Sequence, residues 1–327
     1  MRPLALKGHE RSLTQVRVNR DGDLLFSCAK GKNPCVWYTE NGERLGTYKK
    51  HNGAVWCIDV TWDSASLVTG SGDFSTIFWD CETGQVKEEI KFPTPVRSVG
   101  FAYSGCLFFC GTQAQKINAG QICVFDTRDP GQLSDNQPQL KIAVTNTPLS
   151  GVWSHLDDTI TVGDDKGQLS QFDIRGTSQE PVNFDNKSHR FEIRDLQLSD
   201  DQTMLITSCK DKTAKLFDAH NLEHLKTYKS EKPVNSAAIS PLRDHIVLGG
   251  GEEAMQVTQT ATSQAGFEAK FYHLVFEDEF ARLKGHFGPI NTLAFLPDGK
   301  SFISGAEDGY VRIQTFDKDY FDFDFEY

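Results

Sequence analysis

One repeated spacing constrains this chain more than any other feature. Counting from His51, a Thr falls at +18, an Asp at +22 and a Trp at +28, giving His51, Thr69, Asp73 and Trp79. The set returns as His189, Thr207, Asp211 and Phe217, and again as His286, Ser304, Asp308 and Gln314. It returns without its Asp as His9, Ser27, Gly31 and Trp37. Within the 51–80 stretch the residues read as three short strands, Val55–Val60, Leu67–Thr69 and Thr76–Trp79, joined by turns at Trp62–Ser66 and Gly70–Asp73. Such a unit cannot bury its own faces and needs neighbours of its own kind.

Self-similarity at roughly 40–45 residues, with Gly8-His9 and Gly285-His286 in front and Trp79-Asp80 behind, predicts an all-β fold, a seven-bladed WD40 β-propeller. The first inward apolar residues are Leu13, Val55, Val96, Leu149, Ile193, Val234 and Ile290. The gaps between them, 42, 41, 53, 44, 41 and 56 residues, place insertions in units three and six, where Gln113–Gly120 and Glu252–Glu279 fit. Segments such as Glu43–Tyr48 and Ala281–Lys284 read as fourth, outer strands. Arg2–Lys7 matches them with no unit before it, so it is expected to pair with the last blade, closing the ring and removing an exposed edge. A repeat fold of this length is expected to form a single domain over 1–327, ending in an acidic and aromatic tail at 316–327.

The recurring landmarks suit a buried relay. The Asp accepts from the His imidazole, the His reaches the Ser/Thr hydroxyl, and that hydroxyl meets the Trp indole N–H. Each bond contributes on the order of 1 kcal/mol, and an orphaned buried partner costs about 1–3 kcal/mol. A His/Asp/Ser grouping also invites a catalytic-triad reading. Here it recurs in several units with no nucleophile elbow or oxyanion motif attached, so His51, Thr69, Asp73, Trp79, His189, Thr207, Asp211, His286, Ser304 and Asp308 are read as structural, and no enzyme is expected.

Forty-five acidic residues against 34 basic give a net charge of −11, and the Lys and Arg are scattered, which disfavours direct nucleic-acid binding through phosphate neutralisation. No signal-peptide-like start and no run of eighteen apolar residues is present, so a cytoplasmic chain without a membrane anchor is expected. The eight cysteines form no C-x-x-C and pair with no metal-like His spacing; they are read as small strand hydrophobes, and neither metal nor cofactor is expected.

Four features stand outside the scaffold. Gly249-Gly250-Gly251 has the look of a phosphate loop, but no Lys-Ser/Thr follows it and no helix opens behind it, so close backbone approach is the better reading. Phe267–Phe280 is aromatic and acidic, either a packed outer strand or a docking edge. The tail Phe316–Tyr327 alternates rings with acids, which puts the rings on one side if it is extended, against the propeller or a partner. Asp201, in the turn between the first and second strands of unit five, and Asp218, after its third strand, should stand on one rim, where they could meet a basic segment. Ordinary turn chemistry competes, since Asp21, Asp298, Asp80 and Asp126 occupy equivalent sites.

Several runs are more specific than the repeat. They are Met1–Gln15, Gly22–Lys30, Asn41–Tyr48, Pro233–Ala237, Leu248–Ala254, Phe267–His273, Lys284–Phe295 and Glu307–Ile313. Together they resemble the i-subunit family of eukaryotic translation initiation factor 3, seven-bladed WD-repeat proteins; the likeness spans the chain and thins between Phe101 and Lys187. The resemblance implies a non-enzymatic scaffold that binds the C-terminal segment of the b subunit and the g subunit. It would tie them to the factor on the small ribosomal subunit and support mRNA recruitment and scanning. It also implies that Asp201 and Asp218 are acidic contacts for the b-subunit segment at the rim of blades five and six. The rival readings are a propeller that recognises peptides through its central channel, in another intracellular assembly, and an enzyme using one of the His/Asp pairs.

Overall fold

The computed structural model describes residues 3–176, 179–252 and 266–322. Within them the chain forms seven four-stranded antiparallel sheets, the blades of a β-propeller. The innermost strands are Leu13–Val18, Val55–Val60, Val96–Phe101, Pro148–Trp153, Ile193–Leu198, Val234–Ile239 and Ile290–Phe295. Each blade's second strand is an almost continuous apolar run, such as Leu24–Ala29 or Leu107–Thr112, buried on both faces because the neighbouring blades cover both. Outer strands such as Val86–Lys91 alternate and leave charges in water.

Seven apolar clusters hold the ring, each shared by two adjacent blades; Cys57, Val68 and Phe78 of blade two, for example, meet Val99, Phe108 and Phe125 of blade three. Leu4–Lys7 lies antiparallel to Tyr310–Thr315, with Leu4 opposite Ile313 and Leu6 opposite Val311. Blade seven also touches blade one directly, through Val16 N–H to Thr292 Oγ1 at 3.1 Å and Asn291 Nδ2 to the Leu13 carbonyl at 2.9 Å. Arg2 lies outside the described residues.

Every inner strand carries a bulge after its first residue, where two residues oppose one on the second strand. The extra residues are Thr14, Trp56, Arg97, Leu149, Arg194, Asn235 and Asn291. A bulge re-aims its side chain, and Thr14, Trp56, Arg97, Leu149, Arg194 and Asn291 line one mouth of the central channel. Further along, glycines let the blades close: a Cβ on Gly70 would sit 2.7 Å from Val96 Cγ1, and one on Gly249 would sit 2.7 Å from Ile290 Cγ2. Gly249 thus has the same packing role as Gly70, and Gly251, at φ +137°, turns the chain where few other residues can.

Two expectations are corrected, and a third is made specific. The surplus of unit three is only partly in the loop before Gly120; the rest lies after the third strand, in a helix at Pro130–Ser134 capped by the Asp129 carboxylate. Phe267–Phe280 is no insertion: Glu268–His273 and the following Glu279–Lys284 are the third and outer strands of blade six, and residues 253–265 lie outside the described residues. The tail is not extended at its start. Lys318–Asp322 is helical, the Tyr320 ring stacks on buried Phe316 at 3.9 Å, and the Tyr320 hydroxyl lies 2.8 Å from His245 Nδ1, so the rings cover the seam between blades six and seven. Residues 323–327 lie outside the described residues.

Candidate functional site

At one end of each relay blade the polar landmarks meet. In blade two His51 Nδ1 lies 3.0 Å from Asp73 Oδ2 and its Nε2 2.7 Å from Thr69 Oγ1, while the Trp79 indole N–H donates to the same hydroxyl at 2.8 Å. Blade five repeats the first two bonds, His189 to Asp211 at 2.9 Å and to Thr207 at 2.6 Å. Blade seven does so with His286, Asp308 at 3.1 Å and Ser304 at 2.7 Å. Blade one keeps only His9, Ser27 and Trp37, both bonds 2.8 Å long. Phe217 and Gln314 replace the Trp in blades five and seven, so no indole joins those two relays.

Burial alone would raise the Asp73 carboxyl, but hydrogen bonds from His51, Ser75 and the Asn52 amide outweigh it and hold the group far below the usual carboxylate range. Asp211 is held down in the same way by His189 and Thr213. The hydroxyls of Thr69, Thr207 and Ser304 belong to residues with no solvent exposure. A nucleophile that water cannot touch cannot meet a substrate.

One cluster was invisible to spacing. His189, Cys209 and Asp211 bring three metal-ligand types within 4.8 Å of one another. Each is already engaged: the imidazole bonds Asp211 and Thr207, and the Cys209 thiol donates to the Phe191 carbonyl at 3.1 Å and is pushed up to about 12 by burial. A thiol so far from ionising is a poor ligand.

The opposite end of blade five holds the rim pair. Asp201 follows the inner strand Ile193–Leu198, and Asp218 ends the third strand Thr213–Asp218. Asp201 accepts from Ser199 Oγ at 2.5 Å and from the Thr203 amide and hydroxyl, bonds that lower its carboxyl. Asp218 accepts from the amides of His220 and Asn221 at 2.8 and 3.2 Å. Met204, which opens the second strand, pairs with Asp218, so both carboxylates stand at the same end of the sheet.

Comparison with the other blades separates Asp218 from ordinary turn residues, although not Asp201, whose counterparts Asp21 and Asp298 likewise have no ion-pair partner among the described residues. Asp80, Asp126 and Asp173 end their own third strands and are each met by a cation, Lys87 at 3.4 Å, Arg128 at 2.7 Å and Arg175 at 3.3 Å. Among the described residues neither Asp201 nor Asp218 has an ion-pair partner. A local signal was present in the sequence: Arg follows Asp126 and Asp173 by two positions, whereas His220 follows Asp218.

On the same face the channel opens into a cavity of about 410 Å³. Its lip carries the half-exposed rings of Trp62 and Tyr103, 4.3 Å apart, with the Arg20 guanidinium 4.6 Å from the Trp62 centroid.

The family model described as EIF3I matches residues 1–326. The chain is 57% identical over 328 residues to the eukaryotic translation initiation factor 3 subunit I of Brugia malayi, covering 100% of both chains. Proteins of the same name from Caenorhabditis elegans and Homo sapiens are 52% and 51% identical, again with 100% of both chains covered.

Proposed function

Since the chain belongs to the eukaryotic translation initiation factor 3 subunit I family, and so acts in translation initiation, we propose that it serves there as a non-catalytic, single-domain scaffold. It docks the b and g subunits in the cytoplasm and reaches the small ribosomal subunit through the complex, supporting mRNA recruitment and scanning without reading nucleic-acid sequence itself. Among the described residues no helix is long and apolar enough to cross a membrane.

The C-terminal segment of the b subunit binds at the Asp201 and Asp218 rim. One observation carries this reading: Asp218 lacks the cation that its counterparts Asp80, Asp126 and Asp173 possess, and Asp201 stands at the same end of the blade. A basic segment would supply it, and the net charge of −11 would steer that segment in. The sealed relay hydroxyls support a role without catalysis.

The test is affinity purification from source lysate with the unaltered protein and with Asp201→Lys/Asp218→Lys. The unaltered chain is expected to bring down the b and g subunits, and the doubly reversed chain to lose the b subunit. Recovery of no initiation-factor subunit by the unaltered chain sinks the assignment. A second reading, peptide recognition at the channel lip, is favoured by the Trp62, Tyr103 and Arg20 cluster. It predicts the opposite pattern: Trp62→Ala/Tyr103→Ala abolishes capture and the double Lys variant does not.

A further inference from the structure

The whole-chain charge of −11 hides how charge is divided between the two ends of the propeller. At the Asp201 end, the turns from first to second strand and from third to outer strand, with the tail at 316–322, hold 21 Asp and Glu against six Lys and Arg among the described residues. The turns at the relay end hold nine against twelve. The charge argument against binding a polyanion therefore applies to one end only.

At the relay end three turns converge on the seam between blades four and five. Residues 186–192 lead into blade five, 165–168 join the second and third strands of blade four, and 210–212 do the same in blade five. Gly167, at φ +85°, lets the first two turns close, since a Cβ there would sit 2.7 Å from the Phe191 carbonyl oxygen. Asp211 ties in the third, accepting from the Arg190 amide at 3.4 Å as well as from His189.

These turns carry Lys166, Lys187, Arg190 and Lys212, all exposed and, among the described residues, without an ion-pair partner. The acids beside them are already engaged: Asp211 in its relay, Glu192 by Arg194 at 2.6 Å and Lys210 at 3.2 Å, and Asp165 by the Thr147 amide at 3.2 Å. Among the four cations stands Phe191, 58% exposed, its carbonyl held by the Cys209 thiol at 3.1 Å. One exposed ring is ordinary. A ring on a fixed backbone among uncompensated cations is the combination that holds a single nucleic-acid strand, stacking for the bases and charge for the phosphates. Elsewhere at this end Lys30 meets Glu307 at 3.6 Å and Lys50 meets Glu89 at 3.3 Å, and the unpaired Arg11, Lys32, Lys49 and Lys116 are spread over blades one to three.

We propose that this seam is a docking surface for single-stranded RNA, with Phe191 stacking on one base and Lys166, Lys187, Arg190 and Lys212 meeting the neighbouring phosphates. Contacts to phosphate carry no sequence information, and every base has a face to stack, so the surface does not discriminate sequence. RNA is the strand at hand because the family acts in translation initiation. The Asp201 rim lies at the opposite end of the blade, so either surface can fail without the other.

The test is fluorescence anisotropy of a labelled decauridylate titrated with the full chain, between about 50 and 200 mM KCl. Binding is expected at the lower salt, with log affinity falling against log salt at a slope of about −2 to −3, the value for three or four phosphates. Lys166→Gln/Lys187→Gln/Arg190→Gln/Lys212→Gln should weaken binding about tenfold or more and flatten that slope, whereas Phe191→Ala should weaken it about fivefold and leave the slope unchanged. The matched variant Arg11→Gln/Lys32→Gln/Lys49→Gln/Lys116→Gln removes the same charge from the same end and should weaken binding less than about threefold. Urea midpoints check that each variant is folded. No binding by the unaltered chain at the lowest salt, equal weakening by the two quadruple variants, or no effect of Phe191→Ala overturns the proposal. So does tighter binding of a labelled decaglutamate that ignores Phe191→Ala, which would make the surface a dock for an acidic protein segment.

Discussion

The two ends of blade five put the same residue type to opposite uses. At one end Asp211 accepts from His189, from the Thr213 amide and from the Thr213 hydroxyl, and all three donors belong to its own blade. At the other end Asp201 and Asp218 take only local turn bonds and no cation. A carboxylate tied into a buried relay stabilises the fold; one at the rim, held only by turn groups, remains available to a partner. The difference lies in the neighbours supplied, since burial and hydrogen bonding, rather than residue type, decide what an Asp does.

The sharpest way to break the comparison is truncation at each end. Asp211→Ala leaves the His189 imidazole, the Thr213 amide and the Thr213 hydroxyl without their acceptor, and should cost about 2–4 kcal/mol. Asp201→Ala removes a turn acceptor at an exposed site and should cost about 1 kcal/mol or less. Urea unfolding followed by tryptophan fluorescence measures both. Equal losses would mean that the relay is no more than another turn.

Acid separates the two ends in a second way. The relay carboxylates Asp73, Asp211 and Asp308 lie below their ordinary values. Their contribution is therefore complete above the unfolded-state pKa near 4 and is lost as pH falls through the lower, folded values. His9 and His245, lowered to about 4 by burial, with Arg44 adding for the first and His273 for the second, act earlier. Between pH 6.5 and 4 the unfolded chain binds their protons and the folded chain does not, so stability should already fall by roughly 1–2 kcal/mol for each histidine. The unfolding midpoint should thus drop in two stages. Asp211→Asn should flatten only the one below pH 4, and a single drop near pH 6 untouched by that change would remove the relays from the account.

Blade four shows what the sequence hid. Its relay positions are degenerate, yet Gln171 Nε2 donates to Thr161 Oγ1 at 3.2 Å and to the Ala219 carbonyl of blade five at 3.0 Å, and Asn183 Nδ2 donates to Gln171 Oε1 at 2.6 Å. Gln171 was legible as the residue standing where Trp would be. Its bond to Thr161 keeps the ten-residue spacing of Trp79 to Thr69. The bonds to Ala219 and Asn183 were not legible, because one reaches into the next blade and the other into the outer strand at no recurring offset. Gln171→Leu should cost about 1–2 kcal/mol, less than Asp211→Ala, because fewer strong donors are orphaned.

The blade count and the relay partners could be read from the sequence because they depend on offsets within one unit. The bulges could not, since Thr, Trp, Arg, Leu and Asn all occupy that position and only the two-against-one pairing defines it. The tail helix escaped because its rings find a hydrophobic seam built by two blades that meet only after folding.

The smallest effect on the fold belongs to the rim. Asp201→Asn/Asp218→Asn keeps a side-chain oxygen to accept the turn amides and removes both charges, so the unfolding midpoint should move by less than about 0.5 kcal/mol. Binding of a synthetic C-terminal segment of the b subunit should nevertheless weaken about tenfold at low salt, and the gap should narrow as ionic strength rises and screens the charges. Asp201→Lys/Asp218→Lys should weaken it further, because the rim then repels a basic segment. If the Asn pair binds as tightly as the unaltered chain at every salt concentration, the two ends of blade five do not differ in the way their neighbours imply, and the rim carboxylates are turn residues alone.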